Sequence, residues 1–195
     1  MTADIHLDQA IAQVKAVLAG QSAAPQVKAF FHEPTFTASY VVSDAATGHA
    51  AIIDSVWDFD QPSGRTSFES ADLIVDHVRR QGLTVDWILE THAHADHLSA
   101  APYLQEALGG KIGIGERITV VQDTFGKIFN EGTRFQRDGS QFDRLLADGD
   151  SLQVGRLQVR AMHTPGHTPA CMTYVVSDPS AVPARQVAFV GDTLF

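Results

Sequence analysis

Short runs of alternating apolar and polar residues fill the early part of the chain and predict β-strands. Three such runs, at 27–31, 37–42 and 50–53, are separated by turn-forming segments around Pro34 and Gly48. β-Branched and aromatic residues favour extended backbone, whereas proline and glycine mark turns. Because consecutive strands joined by short turns pair antiparallel, this region predicts the start of one sheet.

Farther along, apolar residues recur at helical spacing. Ile74, Val75 and Val78 fall on one face of the segment 68–81, which predicts an amphipathic helix. Two more helices are predicted at 98–108 and 116–130. Further strands are predicted at 83–89, 110–115, 157–162 and 187–190, around Leu152 and from Cys171, with polar loops at 58–65 and 131–141 and a hairpin-like turn at 148–150. Strands in runs, interrupted by helices, indicate an α/β (α+β) fold.

The first 24 residues carry apolar side chains at helix-like spacing after an acidic start. A signal peptide has a basic beginning and an apolar core, and this segment has neither. We interpret 1–24 as an appended N-terminal helix or leader and 25–195 as the main domain. The sequence also contains no apolar run long enough to predict a membrane-spanning helix.

Composition narrows the class of protein. With 195 residues, of which 44% are hydrophobic and 19% charged, the chain is typical of a soluble globular protein of one domain. The net charge of −9 argues against nucleic acid as a partner, because no basic stripe offsets the acidity. The single cysteine, Cys171, excludes an internal disulfide and fits a reducing, cytoplasmic location, and we expect its thiol to be buried. A homo-oligomer is compatible with the sequence.

The segment 91–97, Thr-His-Ala-His-Ala-Asp-His, places three imidazoles and a carboxylate just after a predicted strand. Side chains alternate in an extended segment, so His92, His94 and Asp96 are expected on one side and the small alanines on the other. His97 is expected to open the next helix. Imidazole and carboxylate ligands suit zinc, iron and related ions, and the segment therefore predicts a metal site.

A second histidine cluster follows the strand predicted at 157–162. Two prolines and a glycine fix a rigid turn over 163–169, and rigidity suits a loop that presents a ligand. His167 lies at the apex of this turn and is predicted as a ligand. For His163, at the entrance, a supporting role at the site and a structural role in the turn are equally compatible with the sequence.

Two strand ends add carboxylates. The strand at 187–190 leads into Gly191 and Asp192, and ligand sites of α/β folds gather at such strand ends. Beside two histidine clusters, Asp192 is predicted as a metal carboxylate. Asp54 ends the third strand toward the same edge, where a capping or supporting role is expected.

Together these motifs resemble the metallo-β-lactamase superfamily. The resemblance covers 92–97, 165–168 and 191–192 in order, and it extends from about Val27 to the end of the chain. It implies an αββα sandwich with the site at one edge of the sheets. Members normally continue with further strands, helices and one more histidine ligand, whereas this sequence stops at Phe195, so we expect the second half of the sandwich to be incomplete.

Within the superfamily, the segments 91–97, 163–171 and 63–67 look most like the persulfide dioxygenase branch. The glyoxalase II branch tends to carry bulkier residues where this chain has Ala95. The dioxygenase resemblance is therefore the stronger of the two.

The dioxygenase resemblance implies one Fe(II) per chain, held by His92, His167 and Asp192. It further implies O₂ and a small thiol or persulfide of the glutathione type as substrates, with glutathione persulfide oxidised to sulfite. His94, Asp96 and His97 would then orient the ligands and set the local charge, with His94 and Asp96 as the candidate catalytic residues.

A zinc-dependent thioester hydrolase of the glyoxalase II type would use the same side chains, with one or two Zn(II) activating water. Its dinuclear site would draw on six residues: His92, His94, Asp96, His97, His167 and Asp192. The second zinc would also need a histidine farther along, whereas the iron face is complete by Asp192, so the sequence favours the dioxygenase. A third hypothesis, from another class, is a catalytically incomplete metal-binding fragment.

Overall fold

The computed structural model describes residues 25–132, 134–181 and 185–194. The segment 1–24, predicted as a helix or leader, lies outside the described residues. In chain order the described strands are β1 (Gln26–His32), β2 (Thr37–Ser43), β3 (His49–Ile53), β4 (Val56–Asp60), β5 (Arg65–Ser67), β6 (Thr84–Leu89), β7 (Leu98–Ser99), β8 (Lys111–Gly115), β9 (Arg144–Leu146), β10 (Ser151–Val154), β11 (Leu157–His163), β12 (Met172–Asp178) and β13 (Arg185–Phe189). The described helices are α1 (Glu69–Gln81), α2 (Ala101–Leu108) and α3 (Ile118–Ile128), and a short 3-10 turn spans Gly191–Thr193.

The first sheet has six strands in the order β1-β2-β3-β6-β8-β9. β1, β2 and β3 pair antiparallel, as their short turns predict. β3, β6, β8 and β9 pair in parallel. Parallel neighbours end at the same edge of a sheet, so Asp54 and Glu90, which follow β3 and β6, lie beside each other there.

The second sheet has four antiparallel strands in the order β10-β11-β12-β13. Its inner face packs on the first sheet, and burying each large apolar side chain there stabilises the fold by about 1.5–3 kcal/mol. This core includes Val42, Ile53 and Leu89 from the first sheet and Val159, Tyr174, Val176 and Phe189 from the second.

The opposite face of the first sheet is covered by α1 and α2. α1 is capped by Gly82, whose φ of 64° is left-handed and whose N–H donates to Arg79 O at 3.1 Å. The buried face of α1 consists of Ala71, Ile74, Val75 and Val78, as the helical spacing predicts. These side chains and Leu104 of α2 pack on Val41, Ile52 and Ile88 of the sheet.

Within the described residues, the layers are therefore helix, sheet and sheet, which confirms the α/β fold class predicted from the sequence. α3 packs near the end of β8 in a smaller apolar cluster with Ile114 and Ala170. No helix in the described part of the chain is long and apolar enough to cross a membrane.

Two predicted elements differ from the structure because short strands form where the sequence predicted a helix or a loop. Leu98 and Ser99 form β7, which pairs with Trp57 and Val56 of β4, so α2 begins only at Ala101. The polar segment 58–65, predicted as a loop, belongs largely to the β4–β5 hairpin. β7 pairs with a segment about 40 residues away, which local sequence cannot reveal, whereas β4 and β5 pair across a short turn although their polar residues lack a clear strand pattern.

The turn at 148–150 also differs from its prediction. It does not close a hairpin, because β9 belongs to the first sheet and β10 to the second. Gly149 adopts a left-handed φ of 85° in this crossing. The turn therefore carries the chain from one sheet to the other.

Candidate metal centre

Three loops meet at one edge of the sandwich. They comprise residues 90–97 after β6, 164–171 after β11 and 190–192 after β13. The first loop is tied to the second sheet, because Met172 N donates to Thr91 O at 2.8 Å. This connection fixes the relative position of the two histidine motifs.

His92, His167 and Asp192 form one group within this edge. Asp192 Oδ2 lies 3.7 Å from His92 Nε2 and 3.6 Å from His167 Nε2. The two imidazole rings are 5.0 Å apart and nearly perpendicular, at 84°. Two donors that share one ion at about 2.1 Å each lie no more than about 4.2 Å apart, so both separations from the carboxylate fit a shared ion.

The imidazole of His92 is oriented so that one ring nitrogen carries a lone pair and has no hydrogen-bond partner among the described residues. Thr91 Oγ1 donates to Asp54 Oδ2 at 2.8 Å, and it therefore accepts from His92 Nδ1, which is 3.0 Å away. With the proton on Nδ1, the lone pair is on Nε2. That atom is buried and has no hydrogen-bond partner among the described residues. Burying a polar atom without a partner is costly, and a metal ion would satisfy it.

His94, Asp96 and His97 form a second group, whose ligand atoms lie within 4.8 Å of one another. Thr37 Oγ1 donates to Asp96 Oδ2 at 3.1 Å, and His97 Nδ1 lies 3.2 Å from the same oxygen. An ionised carboxylate only accepts, so His97 donates through Nδ1 and keeps its lone pair on Nε2. This Nε2 is also buried without a partner among the described residues.

His94 is held through its Nε2 by two buried carboxylates. Nε2 lies 3.2 Å from Asp54 Oδ1 and 3.1 Å from Glu90 Oε2, so its proton is directed to both. The ring lies 4.1 Å from the ring of His92 and 4.2 Å from that of His97. Nδ1 is consequently the nitrogen of His94 that is left for a metal ion.

The protonation states follow from burial and neighbouring charge. Burial lowers the pKa of His92 to about 4, and a charged His94 acts in the same direction. Burial and His94 also lower the pKa of His97, so both imidazoles are neutral near pH 7. Burial opposes protonation of His94, but the hydrogen bonds to Asp54 and Glu90 outweigh it and raise its pKa to about 10. A metal ion at Nδ1 would replace that proton, because a ligating imidazole is neutral.

The donor chemistry therefore fits a transition-metal ion such as iron or zinc. His92, His167 and Asp192 could hold one ion. The neighbouring group could hold a second ion or orient the first through hydrogen bonds. A cavity of about 500 Å³ opens beside both groups, with Asp96 and Asp192 among its lining residues and Tyr40 on its apolar wall.

The sequence motifs meet in space, although the first motif has a different shape from the one predicted. It bends at 91–92 and 95–97 and is therefore not an extended segment. His92 lies with the second histidine motif and Asp192, whereas His94 lies with Asp96 and His97. His97 also does not open a helix, since β7 separates it from α2.

His163 lies outside these two groups and outside a third candidate group formed by Asp54, Glu90 and His94. Its Nε2 donates to Pro169 O at 2.9 Å, and its backbone N donates to Asp148 Oδ1 at 2.8 Å. These contacts favour the structural role in the turn. Asp54 has the expected supporting role, because it accepts from Thr91 and His94.

Two residues of the site were missed in the sequence. Thr37 contacts Asp96 from 59 positions away, and no local pattern indicates such a contact. Glu90 stands between an apolar strand and the histidine motif, where a buried carboxylate needs a partner. Its position beside the motif was the available signal.

Comparison with known proteins agrees with this fold. Residues 32–195 match the family described as the metallo-beta-lactamase superfamily. The chain therefore belongs to the metallo-β-lactamase superfamily. The family match includes both histidine motifs and Asp192.

Individual relatives differ in the activities that their names state. The chain is 59% identical over 171 residues to a Burkholderia pseudomallei protein named "Probable metallo-hydrolase", covering 87% of this chain and 58% of that protein. It is 29% identical over 175 residues to the mitochondrial persulfide dioxygenase ETHE1 of Bos taurus, covering 90% of this chain and 55% of that protein.

A solved structure gives the same fold. The metallo-beta-lactamase from Staphylococcus aureus superposes with a TM-score of 0.66 and 26% sequence identity, covering 90% of this chain and 45% of that one. The chain thus spans about half the length of the relatives and the solved structure that it matches.

Proposed function

We propose that this chain carries the metal centre of a mononuclear iron persulfide dioxygenase that oxidises glutathione persulfide. The observation that carries the proposal is the group of two histidines and one carboxylate whose ligand atoms lie within 4.8 Å of one another: His92, His167 and Asp192. Such a face suits Fe(II) in oxygenases and leaves other coordination positions open. Bound there, Fe(II) would supply a redox couple and open positions for O₂ and a sulfur ligand.

The surrounding residues have distinct tasks in this proposal. Thr91 fixes the proton of His92 on Nδ1, so that the buried Nε2 would be a neutral donor to a bound ion. Asp96 is half exposed and lines the cavity, where its carboxylate can accept a proton from the substrate. His94, held between Asp54 and Glu90, adds positive charge beside an anionic persulfide.

The overall reaction balances without a further oxidant. One glutathione persulfide, one O₂ and one water give glutathione, sulfite and two protons. The outer sulfur loses four electrons, and O₂ accepts them. The bond between the two sulfur atoms breaks, and the inner sulfur leaves as the thiol of glutathione.

A zinc-dependent hydrolase is the second candidate. One observation favours it: Nε2 of His97, in the second group of donors, is buried without a hydrogen-bond partner among the described residues, and a second ion would bind its lone pair. The 59% identical relative named as a metallo-hydrolase also supports it. Zn(II) would supply a polarised water for attack on a thioester carbonyl.

Metal analysis and two assays separate the candidates. Protein purified without chelators or added metal should contain about one iron per chain, and its iron form should consume O₂ with glutathione persulfide. Zinc should not replace iron in that reaction, because it has no accessible redox couple. Hydrolysis of S-lactoylglutathione by the zinc form, with no persulfide-dependent O₂ uptake by the iron form, would reverse the choice.

Substitution of His94 provides an independent test that distinguishes the dioxygenase from the hydrolase. If the protein is the dioxygenase, His94→Ala should retain most of its iron while turnover falls. If it is the dinuclear hydrolase, the same change removes a ligand, so zinc content and hydrolysis should fall together.

A further inference from the structure

Glu90 is a buried carboxylate that the proposed chemistry does not use directly. Only 3% of its surface is exposed, and it lies between β6 and the first histidine motif. Desolvating a carboxylate costs several kcal/mol unless hydrogen bonds and opposite charge offset the loss of water. A residue of this kind in the core needs a specific reason.

The position of Glu90 is fixed from several directions. Its Oε1 accepts from Ser99 Oγ at 2.6 Å, and Ser99 lies on β7, paired with Val56 of β4. Its backbone O accepts from the buried Tyr174 hydroxyl at 2.8 Å, and its backbone N donates to Gly113 O at 3.0 Å. Main chain and side chain are thus both anchored to strands.

The remaining oxygen of Glu90 is directed to His94. Oε2 lies 3.1 Å from His94 Nε2, and Asp54 Oδ1 lies 3.2 Å from the same nitrogen. A 180° flip of the imidazole would put Cε1 in place of Nε2 beside these two acceptors and lose both hydrogen bonds, so Asp54 and Glu90 together hold the ring in one orientation. Because Nε2 is engaged by these carboxylates, Nδ1 is the nitrogen that His94 can offer in its group with Asp96 and His97.

We propose that Glu90, anchored by Ser99, is a positioning residue of the metal centre that holds His94 with Nδ1 toward the metal side. The inference rests on the proposed metal-binding function of this edge. According to this inference, metal binding requires Glu90 in addition to the residues of the histidine motif. Carboxylates that orient a ligating imidazole typically contribute about 10–100-fold to metal affinity.

Zinc affinity of the whole protein tests this role. Zn(II) is the probe because it binds imidazole nitrogen well and can use His94 Nδ1, whereas Fe(II) in the proposed dioxygenase would not use His94 as a ligand. Glu90→Gln keeps the shape of the side chain but removes its charge. We expect its zinc affinity, measured against a chromophoric chelator, to fall about 10–100-fold.

A matched control separates positioning from general destabilisation. Asp44 is also a buried carboxylate, 2% exposed, but it pairs with Arg156 at the opposite end of the sheets. Asp44→Asn should lower the melting temperature and leave zinc affinity unchanged. A purely structural Glu90 would behave in the same way, so an unchanged zinc affinity in folded Glu90→Gln would overturn the proposal.

A milder variant covers the case in which Glu90→Gln does not fold. Ser99→Ala removes only the anchor of Glu90, and we expect a smaller loss of zinc affinity. If Glu90→Gln is unfolded, an unchanged zinc affinity in Ser99→Ala overturns the proposal.

A measurement on metal-free protein separates failure of this inference from failure of the proposed function. In ¹⁵N-histidine-labelled wild type, the Nε2 proton of His94 should exchange slowly with water, and either variant should accelerate its exchange. Fast exchange in the wild type contradicts positioning by Glu90 regardless of metal. Slow exchange in a wild type that binds no zinc supports the positioning and rejects the metal-binding function.

Discussion

The backbone at Gly191 passes so close to Thr91 that a side chain on Gly191 would lie 2.9 Å from Thr91 Cβ and would overlap its hydroxyl. Gly191 also adopts a left-handed φ of 51°. Thr91 orients His92, and Gly191 precedes Asp192. This contact between a glycine and a threonine therefore sets the separation of two candidate ligands from different sheets.

Gly191→Ala should weaken metal binding as well as stability. The left-handed conformation costs a non-glycine residue about 1–3 kcal/mol, and the overlap with Thr91 forces the loop that carries Asp192 to move. We expect zinc affinity to fall by at least about 10-fold. Gly64→Ala is the control, since Gly64 has a φ of 66° and no atom within 4 Å of an added Cβ. Equal zinc affinities for the two variants would exclude a role of this contact in the site.

Removal of the carboxylate at Asp192 should lower metal content sharply. Its Oδ2 is within 3.7 Å of both His92 Nε2 and His167 Nε2, so Asp192→Ala removes a donor shared by the group. We expect metal retained after dialysis to fall by more than about 10-fold. His163→Ala should retain wild-type metal content, because its side chain bonds to the turn. Metal analysis of both variants, prepared in parallel, checks the assignment.

Loss of the Thr37 hydroxyl should disturb Asp96 and His97 together. Thr37 Oγ1 donates to Asp96 Oδ2 at 3.1 Å and lies 3.3 Å from His97 Nδ1. Thr37→Val keeps the shape but removes the donor; if His94, Asp96 and His97 hold a second zinc, as in the hydrolase, we expect it to bind about 10-fold more weakly. Thr37→Ser retains the hydroxyl and should bind zinc like the wild type. Calorimetric titration of the two variants distinguishes a lost hydrogen bond from altered packing of β2.

Acid should destabilise the fold partly through the ion pair of Asp44 and Arg156. The Arg156 guanidinium, 2.9 Å from Asp44 Oδ1, holds the pKa of the buried carboxyl well below its model-compound value of 3.8. A carboxyl with a depressed folded-state pKa contributes stability that is complete above its unfolded pKa. That contribution is lost as pH falls through the folded pKa.

The comparison with Asp44→Asn isolates this contribution. Its free energy of unfolding should approach that of the wild type as pH falls from 5 toward 2, since only the wild type has this carboxyl to protonate. Arg156→Gln should shift the loss to higher pH, because it removes the main cause of the low pKa. Denaturant unfolding of the three proteins over this pH range measures the effect. A difference in free energy of unfolding between wild type and Asp44→Asn that stays constant from pH 5 to pH 2 would contradict this prediction.

Local patterns were sufficient for the elements that depend on near neighbours. The face of α1 formed by Ile74, Val75 and Val78 follows from helical spacing and is buried as predicted. The meeting of the loops that carry the candidate ligands was also predictable, because His92 and Asp192 lie shortly after apolar strands that end at one edge. For these loops, the strand pattern and the ligand chemistry of the residues both predicted a site at this edge of the sheets.

Contacts between distant segments were not predictable in this way. Nothing near Leu98 and Ser99 indicates that they pair with β4, so the start of α2 was placed too early. The carboxylate of Glu90 and the hydroxyl of Thr37 likewise gain their roles from partners in other parts of the fold. The shape of the histidine motif depends on these contacts, which is why its bends were missed.

The two groups of side chains at opposite ends of the sandwich also have a mechanical consequence. Asp44 follows β2 of the first sheet and Arg156 precedes β11 of the second, so their ion pair clamps the sheets at one end. His92 follows β6 of the first sheet, whereas His167 and Asp192 follow β11 and β13 of the second. An ion bound by all three would therefore hold the two sheets together at the other end. Ligands that bind only the folded state suppress its opening. Metal should therefore slow amide hydrogen exchange in β11, β12 and β13 most strongly near the ligand loops, and the second sheet should be the part that loosens first when the ion is removed.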